Sequence, residues 1–455
     1  MTRAPTEAPR VAGPAPRSLR RRPVAGLLLA VLLVAGTALV GWQLTRDGVV
    51  LHLLGGYVLR GAWDPLLSAR VLLPVAVALA AVLWGPAAAR TASWRVLLAG
   101  SAAATAGWAV SLALASGWAR LTEPLGSVYE YPHDVGRVGG VGELLRTFND
   151  SVLADSADPW TTHVSGHPPG ALLAFVLIDR AGLGGLGWAA AMCIAAGALA
   201  VPAVLVTVRS VAGEGTARTV APFLVLAPTA LWVATSADAL FAGVFAWGVA
   251  LLAGAAAPRW GRGAAARALG GGLLLGLALH LSFGLASLGL LALAVVVVHR
   301  QRLGWGGIVR VLAVAAVGVA VVFALFAGGG YDWFEGLSLT AERVRSGPSY
   351  ADRPLAFFLV ANLAAAAVAA GPAAVAGLAC LRRVGLALVP LAALAGMLVS
   401  DVTGLVRGET ERIWLPFTVW LPVAAAFLPV RQRRFWLVLS AVTAIAVEVA
   451  VRTEW

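Results

Sequence analysis

Runs of about 18 or more apolar residues recur from one end of this chain to the other, and each is long enough to cross a hydrocarbon core about 30 Å thick. No water pairs with the backbone inside a bilayer, so a crossing segment must satisfy its own N–H and C=O groups. A helix does this within itself. The pattern therefore implies an all-α, polytopic transmembrane helical bundle before any motif is read. A length of 455 residues would otherwise suggest about three soluble domains. Composition excludes them: only 12% of residues are charged and 60% are hydrophobic, whereas soluble domains are about 25% charged.

Thirteen spans are expected, at about 24–42, 69–86, 95–117, 187–208, 219–235, 237–256, 269–283, 284–298, 306–327, 354–378, 384–400, 413–429 and 434–452. The stretch 269–298 could also be one long tilted helix. The segment 168–185 is apolar too, but Asp179 and Arg180 interrupt it. Counting it as a span would reverse every later loop, and the distribution of arginine decides against that. With 168–185 lying on the membrane surface as an interfacial helix, the clusters Arg90/Arg95, Arg209/Arg218, Arg259/Arg262/Arg267, Arg300/Arg302/Arg310, Arg382/Arg383 and Arg431/Arg433/Arg434 all fall on the cytoplasmic side, as the positive-inside rule requires. The acids concentrate on the opposite side. The expected protein is thus a multi-pass cell-membrane protein with a cytoplasmic N-terminus and extracytoplasmic loops at about 43–68, 118–186, 328–353 and 401–412.

The chain divides accordingly. Residues 1–23 read as a disordered basic tail, and the apolar run after Arg17–Pro23 as a signal anchor rather than a cleaved leader. Residues 24–94 hold two spans. Residues 95–327 form a membrane module with the long outer loop 118–186, and 328–455 the C-terminal spans with two shorter outer loops. A net charge of +12 does not indicate nucleic acid, because the basic residues sit in short loop clusters between apolar runs. The two cysteines, Cys193 and Cys380, lie in apolar stretches, which excludes a disulfide framework or a CxxC metal site. No Walker A, HExxH or Gly-x-Ser-x-Gly element is present, so nucleotide-driven transport has no support.

Chemistry is expected in the outer loops. The first carries Tyr129-Glu130-Tyr131-Pro132-His133-Asp134 and then His163-Val164-Ser165-Gly166-His167-Pro168-Pro169. Carboxylates beyond a helix end with histidines nearby suit proton abstraction or metal binding, although prolines at a first helical turn are ordinary helix grammar. The second is Arg407-Gly408-Glu409-Thr410-Glu411-Arg412, where a guanidinium at headgroup level can fork onto a phosphate or simply anchor the interface beside Trp414. Asp238, in Ser236-Ala237-Asp238, reads first as a helix N-cap and second as a ligand residue. Asp332, in Tyr331-Asp332-Trp333-Phe334-Glu335, belongs to an aromatic and acidic cluster that suits a sugar or a membrane belt. His280 is an ionisable group in an apolar stretch, either functional or paired between helices.

This arrangement resembles the GT-C superfamily of membrane glycosyltransferases, which use polyprenyl-phosphate sugars. The resemblance rests on the span 95–117, the loop carboxylates Glu130 and Asp134, His167-Pro168-Pro169 opening a surface helix, and Ser236-Ala237-Asp238 opening a later span. It covers roughly 95–300 and, more loosely, Gly408 to Arg412. It implies transfer of a sugar, with inversion, from a polyprenyl-phosphate donor to a cell-envelope glycan or lipid acceptor. Asp134 by preference, or Glu130, would be the base. Arg412, with His163 or His167, would stabilise the departing phosphate; Glu409, Asp238 and Asp332 are further candidate substrate-binding residues. The scheme needs no metal, though some relatives are implied to use a divalent cation such as Mg or Mn. The alternatives are a transporter or flippase of a lipid-linked sugar or other anion, whose ionisable groups would lie near the midplane, then a membrane acyltransferase or polymer ligase, and an accessory subunit without catalysis.

Overall fold

The computed structural model describes residues 17–66, 68–256, 260–382 and 385–454. Residues 1–16 of the expected tail, and the loop residues Arg259 and Arg383, lie outside the described residues. Residues 17–23 are helical, forming the first turns of the helix Arg17–Arg46.

Among the described residues, eight helices are long and apolar enough to cross a membrane: Arg21–Arg46, Ala69–Thr91, Trp94–Ser116, Leu186–Ala212, Ala237–Ala255, Arg262–Leu281, Arg300–Gly328 and Gly385–Val402. A ninth crossing is possible if Leu355–Ala370 and Pro372–Leu378, which meet at 110°, count as one broken span. The protein is a multi-pass helical membrane bundle, but thirteen full-length spans are not seen. The expected spans 219–235, 284–298 and 413–429 are short or interrupted. The helix Glu214–Val225 gives way to a 3-10 turn at Pro228–Trp232, Gly289–Val297 is preceded by one at Phe283–Leu288, and Leu415–Thr418 is followed by one at Leu421–Phe427. Pro228, Pro416 and Pro422 stand at or near the start of such elements, where the ring removes a backbone donor and stops a preceding helix. The expected span 434–452 is the helix Arg433–Ala450, which carries Arg433, Arg434 and Glu448. The surface segment at 168–185 is a helix of 12 residues, Pro169–Arg180, too short to span.

The helices pack through small residues, as membrane helices must when hydrophobicity alone does not drive them together. A Cβ on Gly243 would collide with the Ala196 carbonyl, and one on Gly272 with the Ala315 carbonyl. These two positions let Ala237–Ala255 approach Leu186–Ala212, and Arg262–Leu281 approach Arg300–Gly328. The main apolar core draws on residues from Val58 to Ala444, and Leu51, Leu53, Phe357, Phe358 and Ala361 form a small satellite cluster.

One feature departs from the all-α expectation. Strands β1 (Gly61–Trp63) and β2 (Val451–Thr453) pair antiparallel, with Gly61 opposite Thr453. They lie where the four polar segments gather. His52 meets Asp352, Asn149 meets Glu335, Arg60 meets Glu409, and Glu130 meets Arg412. Segments dispersed along the chain therefore close over one end of the bundle.

Candidate active site

At the centre of that end is Arg412, in the short helix Thr410–Ile413 and only 3% exposed. Its Nη1 lies 3.0 Å from Asp238 Oδ2 and 3.5 Å from Glu130 Oε1. Its Nη2 lies 3.7 Å from Glu409 Oε2 and 3.3 Å from His163 Nε2. His163 Nδ1 is 2.7 Å from Glu130 Oε1. A guanidinium only donates, so the Nε2 facing it must accept. That assigns the ring hydrogen to Nδ1, which donates to Glu130.

Local structure delivers each group. Glu130 immediately precedes the helical turn Tyr131–Asp134, and Tyr131 stacks on Phe175 at 5.3 Å between ring centroids, pinning that turn to the surface helix. His163 sits in the turn Thr162–Ser165, and His167 Nδ1 bonds the His163 carbonyl at 2.8 Å. Asp238 lies in the first turn of Ala237–Ala255, whose N-cap is Ser236. The expected capping role of Asp238 therefore gives way to an ion pair with Arg412. Glu409 adopts a left-handed backbone, φ 62°, uncommon for a side chain larger than glycine. The turn is held by Asn362, whose Oδ1 accepts from Gly408 N at 2.9 Å and whose amide donates to Asp401 at 2.8 Å.

Electrostatics follow from burial opposed by pairing. Burial pushes the Glu130 carboxyl up, but His163 and Arg412 outweigh it and hold the group below its ordinary range. Burial likewise opposes ionisation of Glu409, yet Arg60 and Arg412 bring it down to about 2. Glu411 has less help: burial pushes it up to about 7, against a hydrogen bond from the Arg60 backbone. Burial lowers His167 to about 4, so its ring is neutral. Arg412 is raised despite burial, because Asp238, Glu130 and Glu409 surround it. Among the described residues, no protein donor reaches Glu130 Oε2, which is fully buried.

The other sequence candidates fall elsewhere. Asp134 Oδ1 accepts from Arg137 at 2.8 Å and its Oδ2 from Thr161 N at 2.9 Å. Arg137 also pairs with Asp158 at 2.7 Å and lies over the Trp160 ring, so Asp134 is the buried half of a loop clasp. Asp332 caps the helix Trp333–Ser346, accepting from Phe334 N and Glu335 N. His280 Nδ1 donates to the Gly276 carbonyl of its own helix at 2.9 Å, since a carbonyl only accepts, and the ring packs on Phe326 and Phe323. Two residues around Glu409 escaped the sequence reading, Arg60 at 2.6 Å and Arg353 at 3.6 Å. Each lies in a polar segment that holds other arginines, and nothing local marks it.

The carboxylates Glu130, Asp238 and Glu409 converge on a guanidinium rather than on one another. Among the described residues no three His, Cys, Asp or Glu side chains gather as a metal's donors would. This donor set, built around a guanidinium, does not fit a divalent cation.

No protein-family model matches this chain, and no curated protein does. One similar solved structure is that of ArnT from Cupriavidus metallidurans in the apo state, 18% identical, with a TM-score of 0.40, covering 70% of this chain and 59% of that one. This chain thus spans 59% of that structure's length.

Proposed function

We propose that the protein is a membrane glycosyltransferase that moves a sugar from a polyprenyl-phosphate donor to an extracytoplasmic cell-envelope acceptor, with inversion. The observation that carries this reading is the buried Arg412 beside Glu130, whose two oxygens face different surroundings. Oε1 takes His163 and the guanidinium; Oε2 meets no protein donor among the described residues. Inversion needs the base and the leaving group on opposite faces of the sugar. One carboxylate oxygen engaged by the cation and the His163 ring, and one left without a protein donor among the described residues, support that division of roles.

Glu130, in place of Asp134, is then the base. Its Oε2 takes the acceptor's hydroxyl proton as the acceptor oxygen bonds to the anomeric carbon. The bond from that carbon to the phosphate oxygen breaks, and its electron pair leaves on the phosphate. Arg412 faces the charge that develops there, in a site where little water screens it. His163 fixes the Glu130 rotamer through Nδ1–H. The orientation that puts this end outside the cytoplasm rests on the arginine distribution of the loops.

A transporter of the same lipid-linked anions is favoured by one observation, the 110° break at Gly371, since discontinuous helices build transporter sites. The charged groups gather at the bundle end rather than at the break, which supports catalysis.

The test uses purified protein in lipid vesicles, a panel of labelled polyprenyl-phosphate sugars and a crude envelope acceptor fraction, beside Glu130→Gln. Label in product with wild type and not with the variant supports the enzyme and its base. Flux of labelled donor across the vesicle without product would transfer the assignment to the transporter.

A further inference from the structure

Arg60 touches three acids from two distant parts of the chain. Its Nη1 lies 2.6 Å from Glu409 Oε1, its Nε 2.8 Å from Glu454 Oε2, and its backbone N–H donates to Glu411 Oε1 at 2.8 Å. Strand register brings this about: Arg60 precedes β1, Glu454 follows β2, and Gly61 pairs with Thr453. The flanking chain is fixed independently. Arg353 donates to the Leu51 and His52 carbonyls, and also to the Arg407 carbonyl. The segment before β1 and the Arg407–Arg412 turn are thus tied to the same side chain.

Glu409 is therefore shared. Its Oε1 faces Arg60 and Arg353, and its Oε2 stands 3.7 Å from Arg412. Arg412 meanwhile keeps the shorter distance of 3.0 Å to Asp238. Were Glu409 released from Arg60, its carboxylate would be left between Arg353 at 3.6 Å and Arg412 at 3.7 Å, and any closer approach to Arg412 would compete with Asp238 and Glu130 for that guanidinium. The left-handed backbone at Glu409 makes the same point, because such a conformation persists only where its surroundings hold it.

We propose that Arg60, held in register by the C-terminal strand, is a positioning residue that restrains Glu409 and so keeps Arg412 facing Asp238 and Glu130. For its effect on turnover this rests on the glycosyltransferase reading; for its effect on the Arg407–Arg412 turn it does not. The groups facing Glu409 are Arg60, Arg353 and Arg412, with His163 and Glu411 nearby. Losing Arg60 removes the largest of the influences that keep Glu409 ionised.

The experiment compares full-length wild type, Arg60→Ala, Arg60→Lys and Glu454→Gln in the same lipid, after thermal unfolding confirms that each is folded. Hydrogen exchange of residues 405–413 is read first. Arg60→Ala is expected to exchange faster there and Arg60→Lys close to wild type, with Glu454→Gln between them. In the transfer assay, Arg60→Ala should lose up to about 10²-fold in kcat, as misplacement of a catalytic group does, with little change in KM for the donor. The acid limb of its rate profile should move up by about one unit as Glu409 loses an opposite charge. Unchanged exchange in a folded Arg60→Ala overturns the proposal, as does a purely KM effect with an unmoved acid limb. If wild type transfers no sugar, the functional reading fails, and the exchange result still decides whether Arg60 positions the turn.

Discussion

Two arginine–carboxylate clusters stand in the same loop region and differ in what they leave undone. Arg137, 27% exposed, holds Asp134 and Asp158 and donates to the carbonyls of Asp158 and Pro159. Both Asp134 oxygens are taken. Arg412, 3% exposed, is ringed by Asp238, Glu130 and Glu409, and Glu130 Oε2 is without a protein donor among the described residues. Burying charge is tolerable only when each ion is paired and hydrogen-bonded. The first cluster meets that condition within itself and fastens a loop. The second meets it incompletely, and in the proposed mechanism the unsatisfied oxygen of Glu130 is the one that takes the acceptor's proton. The kind of residue does not separate the two clusters; completeness does.

The largest combined effect on rate and stability lies at the two arginines. Arg412→Ala should lower transfer by about 10²–10³-fold and destabilise the fold by about 3–5 kcal/mol, because Asp238 and Glu130 are left buried without their cation. Arg137→Ala should unfold earlier than wild type yet keep transfer within a few-fold. Initial rates and thermal unfolding in one lipid check both, and equal rate losses would erase the distinction between clasp and site.

Next come the carboxylates. Glu130→Gln should lose about 10²–10⁴-fold in rate, the usual contribution of a general base. Asp134→Asn should retain its rate while losing about 1–3 kcal/mol of stability through an ill-matched buried hydrogen bond. The reverse outcome would restore Asp134 as the base.

A smaller effect separates two acids of the same turn. Glu409, held at about 2 against an ordinary 4.5, contributes stability that is present above pH 4.5 and lost as pH falls toward 2. Glu411, raised to about 7 from 4.5, works the other way. Its contribution is full below 4.5 and is lost as pH rises to about 7, because the folded state binds the extra proton. Unfolding temperatures measured across this range should therefore fall at both ends. Glu411→Gln should flatten the limb between 4.5 and 7 and leave the acid limb in place.

The smallest effect is at Asp332. Asp332→Ala should remove a cap worth about 1 kcal/mol and leave transfer unchanged. A clear rise in KM for either substrate would return Asp332 to the site.

Much of this organisation was legible in the residues. Apolar run length marked the helices long enough to cross, and Asp179 and Arg180 marked the end of the short helix Pro169–Arg180. The polar segments around Glu130, His163, His167 and Arg412 were singled out, and they meet. Span number was overestimated because hydropathy registers an apolar run but not the interruption a proline imposes, as at Pro228 and Pro422. Which of Asp134 and Glu130 meets Arg137 and which meets Arg412 was not legible, because both are loop acids beside a histidine. Arg60 and Arg353 left no mark at all.

By itself the sequence determined that the chain is a helical membrane protein, since backbone groups in hydrocarbon have few ways to be satisfied, and run length and charge report directly on that. It also marked which segments are polar, and these are the ones that meet at one end of the bundle. Only the tertiary structure decided which arginine meets which acid, because those pairs join residues such as Arg60 and Glu409, 349 positions apart. Such pairing depends on β1–β2 register, the left-handed turn at Glu409 and close helix packing. None of these is a property of a residue and its neighbours in the chain.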